Sequence, residues 1–273
     1  MLEADVTEKP ALRESLRHFY QTSEPYARHL EVETEAYFTR YLRLIEMYAC
    51  GAENVLDAGC GTGLSSYMLS LRKRSVVGLD LSELFLSRAS VFHFSPNLLR
   101  VAGDMLELPF QNSIFDLVAS YLVISFVPDI SAALSEMVRV LKPGGIVLIV
   151  TPNQSSPIWP LKDCLRMLRG GVPRPPFCET PLGALKTAVN NVLFSFSKYL
   201  SPETEFRYRK PDLSCELVIG GESDAVYRSS PIDFIRYFRR AGFEILRVGS
   251  RNNWLEKVFP AWAGSIEFVA RKN

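Results

Sequence analysis

The stretch Val55-Leu56-Asp57-Ala58-Gly59-Cys60-Gly61-Thr62-Gly63 constrains this chain more than any other. Apolar residues lead into an acid, and three alternating glycines follow before an amphipathic run, so a strand must turn sharply into a helix. Glycines at such a turn permit unusual backbone angles and let a ligand approach the main chain without meeting a Cβ. Taken alone, the loop reads equally well as a tight turn with nothing bound.

Around the loop, short apolar runs alternate with amphipathic stretches. Strands are expected at Asn54 to Asp57, Ser75 to Asp80, Leu98 to Ala102, Phe115 to Ser120 and Ile146 to Val150, with helices from Gly63 to Leu71, Ser82 to Ser90 and Ile130 to Leu141. This is the pattern of a doubly wound α/β sheet. Ala133, Leu134, Met137, Val138 and Leu141 share one stripe, and Lys142-Pro143-Gly144-Gly145 is expected to stop that helix and turn the chain. From Asn153 to about Ser229 the alternation breaks, and it resumes at Ser230-Pro231-Ile232-Asp233. There Ser230 suits an N-cap, Pro231 the first helical position and Asp233 the positive helix end. A helix to Arg240 and closing strands at Glu244 to Ser250 and Ser265 to Arg271 complete the pattern. Before the first strand, Glu31 to Ala49 reads as one amphipathic helix covering the sheet. The expected division is a helical cover over 1–50, a core over 51–152 and 230–273, and an inserted cap over 153–229.

Two further acids stand at strand ends. Asp80 closes Val76-Val77-Gly78-Leu79-Asp80 about 20 residues after the loop, where ribose hydroxyls of a bound nucleoside would lie. It also suits a helix cap, a job Ser82 can share. Asp104, in Ala102-Gly103-Asp104-Met105, follows the third strand and alone would read as a solvated turn. Three acid-bearing strand ends in order point together to a nucleoside site.

Composition narrows the partners. Lys and Arg total 31 against 30 Asp and Glu, a formal net charge of +1, so no global field favours nucleic acid. The five cysteines show no C-x-x-C spacing and read as free thiols, with no metal site indicated. Met1 to Ala11 carry Glu3, Asp5, Glu8 and Lys9 where a secretion signal needs a basic start and an apolar run, and other apolar runs are too short to span a bilayer. A soluble cytoplasmic protein is expected.

The order of these segments resembles the class I S-adenosylmethionine-dependent methyltransferases, particularly the small-molecule branch related to the ubiquinone and menaquinone methylases. The resemblance is carried by Val55 to Gly63, Gly103 to Phe110, Asn112 to Ser120 and Val138 to Gly145. It covers roughly Tyr20 to Pro152 and resumes from Ser230. It implies a Rossmann-like sheet of seven strands, mostly parallel with one antiparallel strand near the C-terminus, and S-adenosyl-L-methionine as cofactor, with S-adenosyl-L-homocysteine as product. By that resemblance Gly59, Cys60, Gly61 and Gly63 wrap the methionine part and Asp57 orients the loop and the amino group. Asp80 takes the ribose hydroxyls. Asp104 and the Met105 amide meet the adenine, with Leu81 against its face. Ser120 and Tyr121 flank the sulfonium, and Tyr20 and Tyr26 close over the cofactor.

The rival dinucleotide fingerprint G-x-G-x-x-G fails at Leu64, and no G-x-x-x-x-G-K-[ST] loop occurs. After the fourth strand stands Ser120-Tyr121-Leu122-Val123, without the Asn/Asp-Pro-Pro-aromatic run of enzymes acting on exocyclic amines, and no Pro-Cys pair is present. A small organic or lipophilic acceptor is therefore expected, methylated at oxygen ahead of nitrogen or carbon. A nucleoside-binding or protein-binding scaffold without turnover is the alternative. Candidates for a general base are His18, His29 and Asp129, although each also has an ordinary surface or capping role, and His93 reads as structural.

The insert should select the acceptor. Trp159, Leu161, Leu165, Met167, Leu168 and Phe177 mix with Lys162, Arg166, Arg169 and Arg174. One reading is an interfacial helix in peripheral contact with a membrane. The favoured one is a lid helix packing its apolar side on the domain, as such stripes generally do. Cys215 to Ile219 and Ala225 to Arg228 are expected to form a hairpin. The sequence does not specify an oligomeric state.

Overall fold

The computed structural model describes residues 9–72, 74–88, 93–172, 180–201, 203–204, 206–213, 224–250 and 258–273. Three helices come first: α1 (Lys9–Thr22), α2 (Glu24–Glu31) and α3 (Glu35–Ala49). The alternating part follows as β1 (Asn54–Ala58), α4 (Leu64–Ser70), β2 (Ser75–Asp80), α5 (Glu83–Ser87), β3 (Leu98–Ala102), β4 (Phe115–Tyr121), α6 (Ile130–Val140) and β5 (Leu141–Pro152). Then come α7 (Ile158–Leu168), α8 (Pro181–Leu200), α9 (Pro231–Arg240), β6 (Phe243–Gly249) and β7 (Ser265–Lys272).

The strands form one seven-stranded sheet in the order β3-β2-β1-β4-β5-β7-β6. β1 to β5 pair in parallel, and β7 is antiparallel to both of its neighbours. The Rossmann-like expectation therefore holds, including the one reversed strand. Period-two alternation builds a core on each face. Leu56, Val118, Ile149 and Phe268 pack under α6 and α9, while Val55, Leu117, Leu148 and Val269 pack under α3 and α4. Strand order reverses between β1 and β4, the place where an open α/β sheet forms its crevice. Registers Asp57↔Gly78 and Asp80↔Ala102 bring the ends of β1, β2 and β3 to that same edge.

Several local expectations change. The single helix over Glu31 to Ala49 is two: the chain breaks at Val32-Glu33-Thr34, and Thr34 takes an extended conformation (φ −111°, ψ 162°) as the residue before α3. Lys142 to Gly145 do not separate helix from strand. β5 begins at Leu141 and carries these residues through a register shift between Phe115↔Leu141 and Leu117↔Ile146, with Gly144 at φ 77°. An irregularity of this kind accommodates Pro143, which has no N–H to give to a ladder. The helix expected to reach Ser90 is described as Glu83–Ser87, and positions 89–92 lie outside the described residues. The stretch Cys215 to Ile219 of the expected hairpin also lies outside them. Val226 and Tyr227, at its other end, donate backbone hydrogen bonds to the Ser125 carbonyl.

Ser230 sits at the N-cap of α9 without a side-chain capping bond. Asp233 stands in the first turn of α9, as expected of an acid at the positive helix end. It is fully buried, where the equally buried Lys198 ammonium lies 2.8 and 3.0 Å from its two oxygens and the Tyr227 hydroxyl donates to it at 2.9 Å. Burial pushes this carboxyl up, and the lysine opposes it. The pair joins α8 to the core. The apolar side of the insert does not pack on the domain as expected: Leu161, Leu165 and Leu168 of α7 are exposed, and its buried residues are Pro160, Asp163 and Cys164.

Removing one partner of a buried ion pair leaves an uncompensated charge, which typically costs about 3–5 kcal/mol. Lys198→Met is expected to lower unfolding stability by that order in urea titrations. Lys198→Met combined with Asp233→Leu should be less destabilised than the single change.

Candidate functional site

The glycine loop owes its shape to contacts from β2 and β4. The N–H groups of Gly59 and Cys60 both donate to the Leu79 carbonyl, at 2.7 and 3.0 Å. Gly59 (φ 80°) lies so close to Val123 that a Cβ would fall 2.4 Å from it, and at Gly63 (φ 83°) a Cβ would meet the Arg100 side chain at 2.9 Å. Left-handed backbone and lack of space both require glycine there. Beneath the loop, the buried Asp57 carboxylate accepts from Tyr41 at 2.8 Å and from Ser65 and Ser66 at 2.7 Å each. Burial pushes its carboxyl up while these hydroxyls pull it down. Asp57 thus fastens β1 to α3 and α4.

Asp80 ends β2 with both oxygens engaged by main chain: Gly61 N–H donates to one at 2.8 Å and Ser82 N–H to the other at 2.9 Å. Ser82 caps α5 by accepting from Phe85 N–H at 3.2 Å, and its hydroxyl donates to the Tyr20 carbonyl at 2.7 Å. The cap therefore falls to Ser82. The Asp80 carboxylate is buried, which pushes it up to about 6 against the pull of its N–H donors. Each of its oxygens keeps acceptor capacity for a hydroxyl from the crevice.

Asp104 is not a solvated turn. One oxygen accepts from Arg13 at 2.8 Å and Arg17 at 3.3 Å, both from α1, and the other accepts from Leu106 N–H at 2.9 Å. α1 and α2 also bring Phe19, Tyr20 and Tyr26 over the sheet edge, where Tyr26 stacks on Phe85 with ring centres 5.5 Å apart. Tyr20 donates to Asp224 at 2.8 Å, tying the cover to the far end of the insert.

These parts enclose a cavity of about 560 Å³. Its wall combines Gly59, Cys60, Gly61, Asp80, Leu81, Asp104 and Met105 with the apolar Leu16, Leu30, Phe38, Val123, Phe126 and Val127, Leu30 lying beside Gly61 and Val123 beside Gly59. Tyr20, Tyr26, Tyr37, Phe85 and Tyr121 stand around it. A nucleoside with a polar tail fits beside the glycine loop: a buried carboxylate next to main-chain N–H groups suits ribose, and Leu81 and Met105 offer apolar contact to a base. Among the described residues no group of three or more His, Cys, Asp or Glu is arranged to hold a metal ion.

Of the residues singled out from sequence, Tyr20, Tyr26, His29, Gly59, Cys60, Gly61, Asp80, Leu81, Asp104, Met105 and Tyr121 meet at this one cavity. Asp57, Gly63 and Ser120 are not in its wall; Ser120 is fully buried in β4, its hydroxyl without a hydrogen-bond partner among the described residues. His18 is exposed on α1. Asp129 caps α6, accepting from Ala132 N–H at 3.2 Å, and pairs with Lys9 at 2.9 Å. His93 stacks on Tyr67 at 5.0 Å. The cavity also holds two acids that sequence reasoning missed. Glu33 lies in the break between α2 and α3, and burial pushes its carboxyl up to about 7. Thr34-Glu35 after it is a helix-start signal that could have exposed the break. Asp224 arrives only because the insert folds back, which no local signal announces.

Comparison with known proteins adds an independent line. Residues 56–149 match a family model described as a methyltransferase domain. A malonyl-[acyl-carrier protein] O-methyltransferase of Serratia marcescens is 37% identical over 103 residues, 36% of this chain and 38% of that protein. A demethylmenaquinone methyltransferase of Staphylococcus saprophyticus is 35% identical over 132 residues, 45% of this chain and 54% of that protein. The matched part thus spans only about two fifths to half of these relatives. In fold, the 1,6-didemethyltoxoflavin-N1-methyltransferase of Burkholderia thailandensis, solved with S-adenosylhomocysteine, superposes with a TM-score of 0.58 at 14% identity, covering 100% of this chain and 92% of that one. The segment 56–149 is thus similar in sequence to a methyltransferase domain, and the sheet built around it shares the fold of solved S-adenosylmethionine-dependent methyltransferases.

Proposed function

We propose that the chain transfers a methyl group from S-adenosylmethionine to an oxygen atom of a small, lipophilic organic acceptor. The observation that carries this reading is one cavity whose wall joins two kinds of chemistry: main chain and carboxylate around Asp80, and apolar side chains including Leu16, Leu30, Phe38 and Val127. A volume of about 560 Å³ is in the range that holds a small ligand. Oxygen is the atom named for the Serratia relative, and an apolar acceptor agrees with the quinone named for the Staphylococcus one.

When bound, the cofactor supplies an already electrophilic methyl group. The protein has to align the acceptor and exclude water. In this reading Asp80 holds the ribose hydroxyls, Gly59 to Gly61 pass the polar tail, and Leu81 and Met105 flank the base. Asp104 shares that wall with the arginines of α1. Tyr20, Tyr26 and Phe85 form the roof that keeps water out, and the segment 153–229 acts as a cap that reaches the cavity wall at Asp224, beside Tyr20. The α2–α3 break brings His29 and Glu33 to the cavity, and Glu33, with its carboxyl raised to about 7, is the general base for an acceptor hydroxyl.

Calorimetry with S-adenosylhomocysteine tests the cofactor end. Two hydrogen bonds to a carboxylate are worth about 1.5–3 kcal/mol each, so Asp80→Ala is expected to weaken binding by about a hundredfold or more. No binding by the wild type, or unchanged affinity in the variant, overturns the reading.

The base assignment predicts a pH profile. Only the ionised carboxylate accepts a proton, so kcat/KM should rise with pH through about 7 and then level off. Glu33→Gln is expected to remove that limb and cut kcat by about 10²-fold or more. A limb that survives in Glu33→Gln but vanishes in His29→Gln would move the role to His29.

A further inference from the structure

α8 is built inside out. Its buried positions are Ala184, Ala188, Asn191, Phe194, Ser195 and Lys198, and most of these are small or polar. They are satisfied by the core: Asn191 donates to the Ser156 carbonyl at 2.8 Å, Ser195 to the Ser155 carbonyl at 3.3 Å, and Lys198 pairs with Asp233. The large apolar residues face the other way. Leu182, Leu185, Val189, Leu193, Phe196 and Leu200 recur at intervals of three and four, which places them along one side of the helix. They are 76, 45, 51, 62, 61 and 70% exposed. Soluble helices put such a stripe against a core, and isolated exposed leucines do not amount to a continuous stripe of this kind.

α7 packs beside α8 and adds exposed Leu161, Leu165 and Leu168. At one end, Trp159 donates its indole N–H to the Gly264 carbonyl, and exposed Trp262 and Phe259 lie in the neighbouring chain segment. Aromatic side chains with one polar and one apolar end favour a boundary between water and hydrocarbon.

Charge selects the occupant. Within the described residues 153–172 and 180–201 the sole acid is Asp163, which is buried and paired with Arg166 at 3.0 Å. Lys162, Arg169 and Lys186 are exposed. An apolar stripe on two helices whose exposed charges are all cationic, with exposed Glu203 only past the end of α8, complements an anionic lipid surface, whereas two copies laid face to face would bring like charges together. Among the described residues no helix is long and apolar enough to cross a bilayer, so the helix would lie in the interface rather than span it. We propose that the outward face of α7 and α8 docks this protein onto an anionic membrane surface. The inference is independent of the methyl-transfer reading.

Co-sedimentation with phosphatidylcholine vesicles, with and without phosphatidylglycerol, tests it. The wild type should bind the phosphatidylglycerol vesicles, and binding should weaken with added salt and on phosphatidylcholine alone. Leu193→Glu with Phe196→Glu, both on the exposed side, should reduce partitioning at least about tenfold with unchanged far-UV circular dichroism. Arg169→Glu with Lys186→Glu, which leaves the Lys162–Trp159 contact in place, should reduce it in the same direction. A wild type that stays in the supernatant overturns the proposal, as does vesicle binding that survives both pairs of changes. A concentration-dependent dimer in equilibrium sedimentation that the glutamate pair dissociates, without vesicle binding, would make the face a contact between copies instead.

Discussion

The main chain of Gly59, Cys60 and Gly61 leaves β1 before α4 begins, so its N–H groups have no ladder or helix to join. They are satisfied instead by the end of β2: the Leu79 carbonyl takes two and the Asp80 carboxylate takes the third. Buried amides must be paired somewhere, and here the pairing decides the shape of the crevice. One carboxylate therefore serves the loop on one side and α5 on the other, through Ser82. Asp57 does the same work one layer down, with three hydroxyl donors from α3 and α4. The site rests on these two buried acids, and neither is free to move without the loop.

The cover over this edge is held differently. Arg13 and Arg17 meet Asp104, Lys9 meets Asp129 and Tyr20 meets Asp224, and the arginine and lysine contacts are only partly buried. Such ion pairs contribute about 0–1 kcal/mol each. The packing of Tyr20 and Tyr26 against Phe85 is the stronger tie. α1 and α2 are thus fastened by aromatic contact and steered by charge, a combination suited to an element that must let a ligand in. Removing the cover would expose the Asp104 carboxylate and the roof together.

The segment between β5 and α9 has two unlike sides. Its inward side is committed to the core through Lys198, Asp233 and Tyr227, a buried polar network whose members are expensive to separate. Its outward side carries the leucines and phenylalanine that a soluble helix would normally bury. The periodicity is ordinary, and the direction is reversed. A rule that points an apolar stripe toward the core assumes that no other apolar phase is available.

Much of the α/β pattern was legible because strands and loops obey local rules. β2 and β3 fall where the apolar runs place them, and the acids at their ends reach one edge because parallel strands in register bring their carboxyl ends together. Cooperation among distant residues was not legible. Nothing local says that Asp104 faces two arginines some 90 positions away, that Asp224 returns to Tyr20, or that Asp233 meets Lys198 in place of water. Glu33 escaped for a related reason: it was read inside one helix over Glu31 to Ala49, and its place between α2 and α3 matters only because the folded chain brings that break to the cavity wall. The sequence by itself determined the alternation of strands and helices, the glycine turn and the acids at strand ends, since each depends on residues within a few positions. The tertiary structure decided which acids share a cavity, which are neutralised by partners and which way α8 faces, because burial and pairing are set by residues far apart in the chain.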